Sequence, residues 1–312
     1  MAGIPLFNRR PDWMRGATAL TTRWLESTLE VARWENMRRA GRRWGWWGAG
    51  AGAALGLAVF APAAWLAQGV SALSDGKLLL ADASGTIWQG DAVAVLTGGR
   101  GSRDARALPG RLNWAMRVAG GGLRLSLQQD CCLPVPLVLQ VNPRWSGMQL
   151  QVGTQAEAAS SAQTAGATGA TAELGHWPAA WLGGLGTPWN TLQLSGVLRL
   201  AAQDLRFEWV QGRLRLSGRA EVTLDNAASR LTTLERLGSY RLNVDSDADG
   251  QVQLRLGTLD GALQLSGTGG LTPTGMRFRG EARASDTNPG ALDNLLNIIG
   301  RREGDRSVIS IG

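Results

Sequence analysis

Lysine, tyrosine and histidine each occur once in this chain, as Lys77, Tyr240 and His176. There are two cysteines, and they are neighbours, Cys131 and Cys132. Four phenylalanines stand beside 14 tryptophans, and 18% of the residues are charged. Each scarcity excludes something. One histidine rules out the usual histidine-based metal cluster. Adjacent cysteines strain the peptide between them when bridged, and without a third cysteine there is no conventional intrachain staple. The simplest reading is two small apolar residues in a loop or strand; a vicinal disulfide or an intermolecular bridge is the alternative in an oxidising compartment. No G-x-S-x-G elbow and no phosphate-binding G-x-x-x-x-G-K-[ST] loop is present. DSDADG, residues 245–250, has part of a calcium-loop pattern but lacks the distal glutamate, so an Asp-rich hairpin turn is the simpler reading. The chain offers no catalytic, cofactor-binding or metal-ligating residues, and the expectation is a protein that is not an enzyme.

Charge is also absent where it matters. Nothing between Trp44 and Ser74 carries one, whereas residues 1–43 hold nine arginines against four acids out of a net +7. A nucleic-acid binder carries its basic excess on its folded domain; here the excess precedes an apolar stretch, so it reads as a topology signal and no nucleic-acid partner is expected. The densest apolar part, residues 46–67, would span roughly 33 Å as a helix, against about 30 Å of bilayer hydrocarbon. Trp44, Trp46 and Trp47 mark one interface and Trp65 the other. Arg38, Arg39, Arg42 and Arg43 lie just before the stretch, which places the N-terminal arm in the cytoplasm by the positive-inside rule. The preceding arm is too long for a cleaved signal peptide, so a retained signal-anchor is expected. Gly48, Gly52 and Gly56 form a small-residue face suited to close helix packing, a spacing that an Ala/Gly-rich segment also produces by chance. Pro62 is a candidate kink. The expected organisation is a basic, partly helical arm over 1–43, a transmembrane helix over 44–70, and a periplasmic β domain over 71–312.

Beyond residue 75 the period changes to two. LRLSLQ (123–128), LVLQV (137–141), LQLSGVLRL (192–200), YRLNV (240–244), VQLRLG (252–257) and MRFRGEARA (276–284) alternate apolar and polar residues, with Gly or Asp-Gly between runs. This is the pattern of an antiparallel meander. LQLSG at 192 and 263 and LRLSG at 214 repeat a hairpin grammar without a fixed period. The Ala/Gly/Ser/Thr-rich stretch 153–175 reads as a flexible insert that divides the domain into 75–150 and 176–312. Near the end, Asn288 and Pro289 suit a helix start. Leu292, Leu295, Leu296 and Ile299 share one helical face, Gly300 suits a C-cap, 301–306 reads as a charged turn, and 307–311 is a strand with Ile309 and Ile311 on one side. The helix face and the strand together form a candidate docking surface, either for the chain's own sheet or for a partner.

Several of these pieces, in order, resemble one family: GTIWQG (85–90), RLNW (111–114), GVLRL (196–200), LGSYRL (237–242), RLGTLDGALQLSGTG (255–269), FRGEARA (278–284) and the stretch 292–312. They are similar to type II secretion system protein N. The arm before residue 44 and the 153–175 stretch depart from that pattern. The resemblance implies a single-pass protein with a periplasmic β domain; together with the residue patterns above, the expected fold is mainly β: a single N-terminal transmembrane helix, then a curved antiparallel sheet with a short C-terminal helix and terminal strand. It implies a single-pass bacterial inner-membrane location and no catalytic residues. Its expected partners are the inner-membrane platform proteins of the secretion machine and the secretin. At a lower level the hairpin grammar is also similar to AsmA-like β proteins, which implies lipid handling in a curved groove as the competing expectation.

Overall fold

The computed structural model describes residues 44–145, 147–155, 171–210, 212–246, 250–272, 275–285 and 290–312. The chain divides into two compact units, Met1–Phe60 and Ala61–Gly312. In the first, residues 44–59 are helical, here α1. The arm with Arg38, Arg39, Arg42 and Arg43 lies outside the described residues.

The continuous helix expected over 44–70 is interrupted. Residues 60–62 leave the helix, and a separate helix, α2, spans Ala63–Leu73. The cause is local. Pro62 is extended, at φ −69° and ψ 148°, has no N–H to continue a helix, and disfavours helical geometry in the residue before it. The Ala61 carbonyl instead accepts the Ile87 N–H at 2.9 Å, and Pro62 bridges to Thr86, so this stretch is drawn to the sheet. Ala61 and Ala63 are buried. Part of the apolar run thus serves the β unit's core. Among the described residues no helix is long and apolar enough to cross a membrane.

Strands dominate the second unit. They are β1 (Leu78–Gly85), β2 (Gln89–Thr97), β3 (Ala105–Ala107), β4 (Leu112–Ala119), β5 (Gly122–Gln129), β6 (Leu133–Arg144), β7 (Gly147–Thr154) and β8 (Ala172–Pro178). A 3-10 helix (Ala179–Leu185) and the one-turn helix α3 (Trp189–Leu192) follow. Then come β9 (Leu194–Val210), β10 (Arg213–Ser229), β11 (Gly238–Ser246), β12 (Val252–Gly261), β13 (Leu263–Thr272) and β14 (Gly275–Ala284). Helix α4 (Asp293–Ile299), β15 (Arg301–Glu303) and β16 (Arg306–Ile311) complete the order. All pair antiparallel in one sheet, in the order β1-β2-β4-β5-β6-β7-β9-β10-β11-β12-β13-β14-β16-β15, with β3 beside β2 and β8 beside β9.

Two expectations change here. The stretch 153–175 does not split the domain, because β7, which runs into it, and β8, which leads out of it, both pair with β9. The interior of that stretch lies outside the described residues. The repeat LQLSG at Leu192 starts in α3 and not in a strand, with Gln193 at φ 44° ending the turn before β9.

The β9–β10 hairpin, 17 residues on each side, is shared by two halves of the sheet. β7 pairs with 206–210 of β9, whereas β11 pairs with 219–227 of β10. Between these sections the register shifts, with Asp204 at φ 50° and Gly218 at φ 100°. A bulge of this kind bends a strand pair and sharpens its twist.

Period two sorts the side chains. The register row Leu200, Val222, Leu242, Leu256 crosses β9 to β12 on one face. The neighbouring positions carry ion pairs on the other face: Arg199–Asp225 at 2.9 Å and Arg241–Glu221 at 3.1 Å. Such exposed pairs contribute about 0–1 kcal/mol each, so the apolar face carries the stability. At the β1 end it is covered by α2, with Ala63 and Leu66 against Ala92, Trp114 and Leu125. At the far end it is covered by α4 and the loop before β11, with Leu292, Leu295 and Leu296 against Leu237, Tyr240, Leu263 and Ala282.

Candidate interaction surfaces

The motif blocks resolve into strand contacts. Gly90 of GTIWQG sits opposite Trp114 of RLNW, and a Cβ on Gly90 would lie 2.7 Å from the Trp114 ring. The two motifs need each other, because only glycine leaves room for the indole. Gly238 of LGSYRL and Gly261 of LDGAL also pair, at φ 150° and 126°, so close that a Cβ on either collides with the opposing backbone. Beside them the Tyr240 hydroxyl donates to the Leu263 carbonyl at 3.0 Å. Burial pushes that hydroxyl's pKa well above the ordinary tyrosine range, with the nearby Asp260 adding to the shift.

Arg111, also in RLNW, is the hub of a surface cluster on β1. Its guanidinium pairs with Asp91, reaches Asp82 Oδ2 at 2.6 Å and donates to the Asp82 carbonyl at 2.7 Å. Ser84 donates to Asp91 at 2.8 Å, and these two partners hold the Asp91 carboxyl below its usual range. Asp82 stands at φ 51°, where the β1 register slips, so the cluster fixes a bulge on the sheet's first strand.

The candidate residues from the sequence separate in space. Trp44, Trp46 and Trp47 are exposed on α1, and Gly48, Gly52 and Gly56 have open space where a Cβ would be. Trp65, assigned to the other end of the same helix, belongs to α2 and is exposed. In the last segment the helix spans Asp293–Ile299; Asn288 and Pro289, read as its start, lie outside the described residues. Leu292, Leu295 and Leu296 are buried, and Ile299 and Ile309 pack against the same core. That surface docks on the chain's own sheet, which leaves Ile311 as its exposed member. Gly300 is extended and not a left-handed cap; a Cβ there would collide with the Val308 carbonyl. Residues 301–306 are more than a charged turn, because Arg301–Glu303 pairs with β16 as the outermost strand.

Cys131 and Cys132 form a vicinal disulfide, against the simplest expectation. Cys132 is buried in a cluster with Ala94 and Leu108, flanked by Trp177 and Trp181. Its carbonyl accepts the His176 N–H at 2.8 Å, which ties the β5–β6 turn to β8. No residue-spacing signal singles out the Trp pair, which meets the cysteines through tertiary contact. His176 itself lies beside Glu173 at 3.6 Å on the surface. Asp245, in the DSDADG stretch, faces Arg219 at 3.5 Å and Arg255 at 3.6 Å; Asp247 and Asp249 lie outside the described residues. Among the described residues no group of three acidic, histidine or cysteine side chains could hold a metal ion.

Comparison with known proteins adds one match. A family model described as type II secretion system (T2SS), protein N, matches residues 76–309. No curated protein and no solved structure matches the chain.

Proposed function

This chain belongs to the type II secretion system protein N family, and from that premise we propose that it is a non-enzymatic, single-pass inner-membrane component of the secretion machine. It assists export of folded proteins across the outer membrane by assembling with inner-membrane platform subunits, and its β unit lies in the periplasm within reach of the secretin. The observation that carries this reading is the family match across 76–309, which covers nearly all of the β unit. The membrane placement is supported by the uncharged stretch from Trp44 and by the arginines before it. Residues 44–60 would span about 25 Å as a helix, at the short end of the crossing range. The open glycine face of α1 suits packing against another platform helix.

The test is crosslinking and co-purification from native membranes. Recovery of platform subunits is expected; their consistent absence rejects the assembly role. A periplasm-dependent reporter fused after residue 75 should be active, and an inactive reporter in a stably inserted fusion reverses the orientation. The competing AsmA-like reading has one observation in its favour: Leu200, Val222, Leu242 and Leu256 are only half-buried in a row across four strands. Lipid retained by the purified protein in native mass spectrometry supports that reading, and its absence counts against it.

A further inference from the structure

Strand pairing gathers six connections at one end of the sheet: β1–β2, β4–β5, β6–β7, β9–β10, β11–β12 and β13–β14. The same end holds Ala61, whose carbonyl is bonded to Ile87 in the β1–β2 connection. It is therefore the end at which the chain arrives from residues 44–60.

This end is amphipathic. On the apolar face the strand tips leave Val118, Met148, Trp209, Leu271, Met276 and Ile311 exposed, from 37% for Trp209 to 75% for Val118. Met148 stands directly across from Trp209, and Leu271 from Met276, so these are paired patches and not scattered residues. Trp145, in the β6–β7 connection, is fully exposed. The opposite face of the same tips carries exposed Arg117, Arg206, Arg215, Arg277 and Arg279, none of which makes an ion pair among the described residues. Arg117 is directly opposite Arg124, a like-charge pairing that costs stability unless an anion offsets it. Among the described residues the carboxylate nearest them in register is Glu208, across from Arg215.

At the other end of the sheet Arg199, Arg236, Arg283 and Arg302 are matched by Asp225, Asp260, Glu281 and Asp293, while Arg103, Arg106, Arg230 and Arg301 are exposed with no ion pair among the described residues. What sets the chain-entry end apart is that paired apolar tips on one face lie back to back with unpaired arginines on the other.

We propose that this end of the sheet rests on a lipid bilayer bearing anionic headgroups. The tip tryptophans and aliphatic side chains enter the interface, and the unpaired arginines meet phosphate groups. Amphipathic surfaces bind membranes by this pairing of buried apolar area with attraction to anionic lipid. The inference rests on the reading that residues 44–60 lie in the membrane, because Ala61 follows them directly. It adds that the β unit itself is a membrane-contacting body, with its α4 end directed away from the lipid.

The test uses the full chain in nanodiscs of phosphatidylethanolamine and phosphatidylglycerol, with a photoreactive benzoylphenylalanine replacing Trp145, Leu271 or Leu259. Leu259 is an exposed apolar residue of β12 at the opposite end. Lipid adducts are expected at 145 and 271 and not at 259. The double variant Arg277→Glu/Arg279→Glu, with an unchanged melting curve, should reduce the adduct at 271 by about fivefold or more, since each arginine near an anionic surface is worth roughly that factor. Equal labelling at all three sites overturns the proposal. So does labelling of a protein partner, and of no lipid, at 145 and 271 in native membranes. Carbonate extraction separates the two levels: a chain that is washed off fails the membrane reading and this proposal together, whereas a retained chain with unlabelled tips fails this proposal alone.

Discussion

The two halves of the sheet solve the same problem with different resources. The half from β1 to β7 covers its apolar face with α2, through a small cluster built on Ala63, Ala92 and Trp114. The half from β11 to β16 covers its face with α4 and the loop before β11, through a cluster that includes Leu237, Tyr240, Leu263, Leu292, Leu295 and Leu296. The margins differ too. Along β1, the Ser74 hydroxyl at the end of α2 accepts the Leu78 N–H at 3.1 Å, and Arg111 binds the Asp82 carbonyl. At the opposite margin the last strand is three charged residues, Arg301–Glu303. Both devices discourage unwanted strand pairing. The difference teaches that the C-terminal half concentrates its burial in one large cluster, while the N-terminal half divides it between the α2 cluster and the smaller one around Cys132.

The largest test of this contrast is Leu296→Ala. The side chain is fully buried, so a loss of about 2–5 kcal/mol is expected in denaturant unfolding of the full chain. If it costs no more than a change in the α2 cluster, the two halves are equal and the contrast falls. Ala63→Leu is the matching change, because Ala63 is 1% exposed; overpacking there should cost about 1–3 kcal/mol, and hydrogen exchange should rise in β1 and β2 before β13 and β14. Gly261→Ala should be of similar size, because the new Cβ collides with Gly238, but its exchange signature belongs to β11 and β12.

Tyr240→Phe should cost about 1 kcal/mol through the lost bond to Leu263. It also changes a pH profile. Because burial raises the folded-state pKa, the wild-type chain keeps the full contribution below the unfolded value near 10 and loses it as pH rises beyond that. A chain with phenylalanine should lack that alkaline component, and an unaltered alkaline profile removes Tyr240 from the account. Smallest of all, Ser74→Ala should cost about 0.5 kcal/mol, read as faster exchange at the Leu78 amide.

Much of this was legible in the residues. The alternation of LRLSLQ or VQLRLG requires strands, because period two is the only way those side chains separate into a dry and a wet face. The face formed by Leu292, Leu295, Leu296 and Ile299 likewise marked a helix that needs a partner surface. The break at 60–62 was less legible. Ala61, Pro62 and Ala63 are as apolar as a membrane segment, and hydropathy does not distinguish lipid from a protein core. The vicinal disulfide, the Arg111 cluster and the arginine-rich sheet end involve residues far apart in sequence, so no local pattern announced them.

By itself, then, the sequence determined the strand-rich class, the placement of the turns, the amphipathic closing helix and the family. Those follow from local periodicity, turn chemistry and motif order, which are properties of neighbours along the chain. Only the tertiary structure decided that Ala61 and Ala63 join the sheet's core, that the stretch 153–175 leaves the sheet continuous, and that unpaired arginines and exposed apolar tips share one end. Those depend on which strand lies beside which, and pairing between distant segments is set by the whole sheet's register and not by any short run of residues.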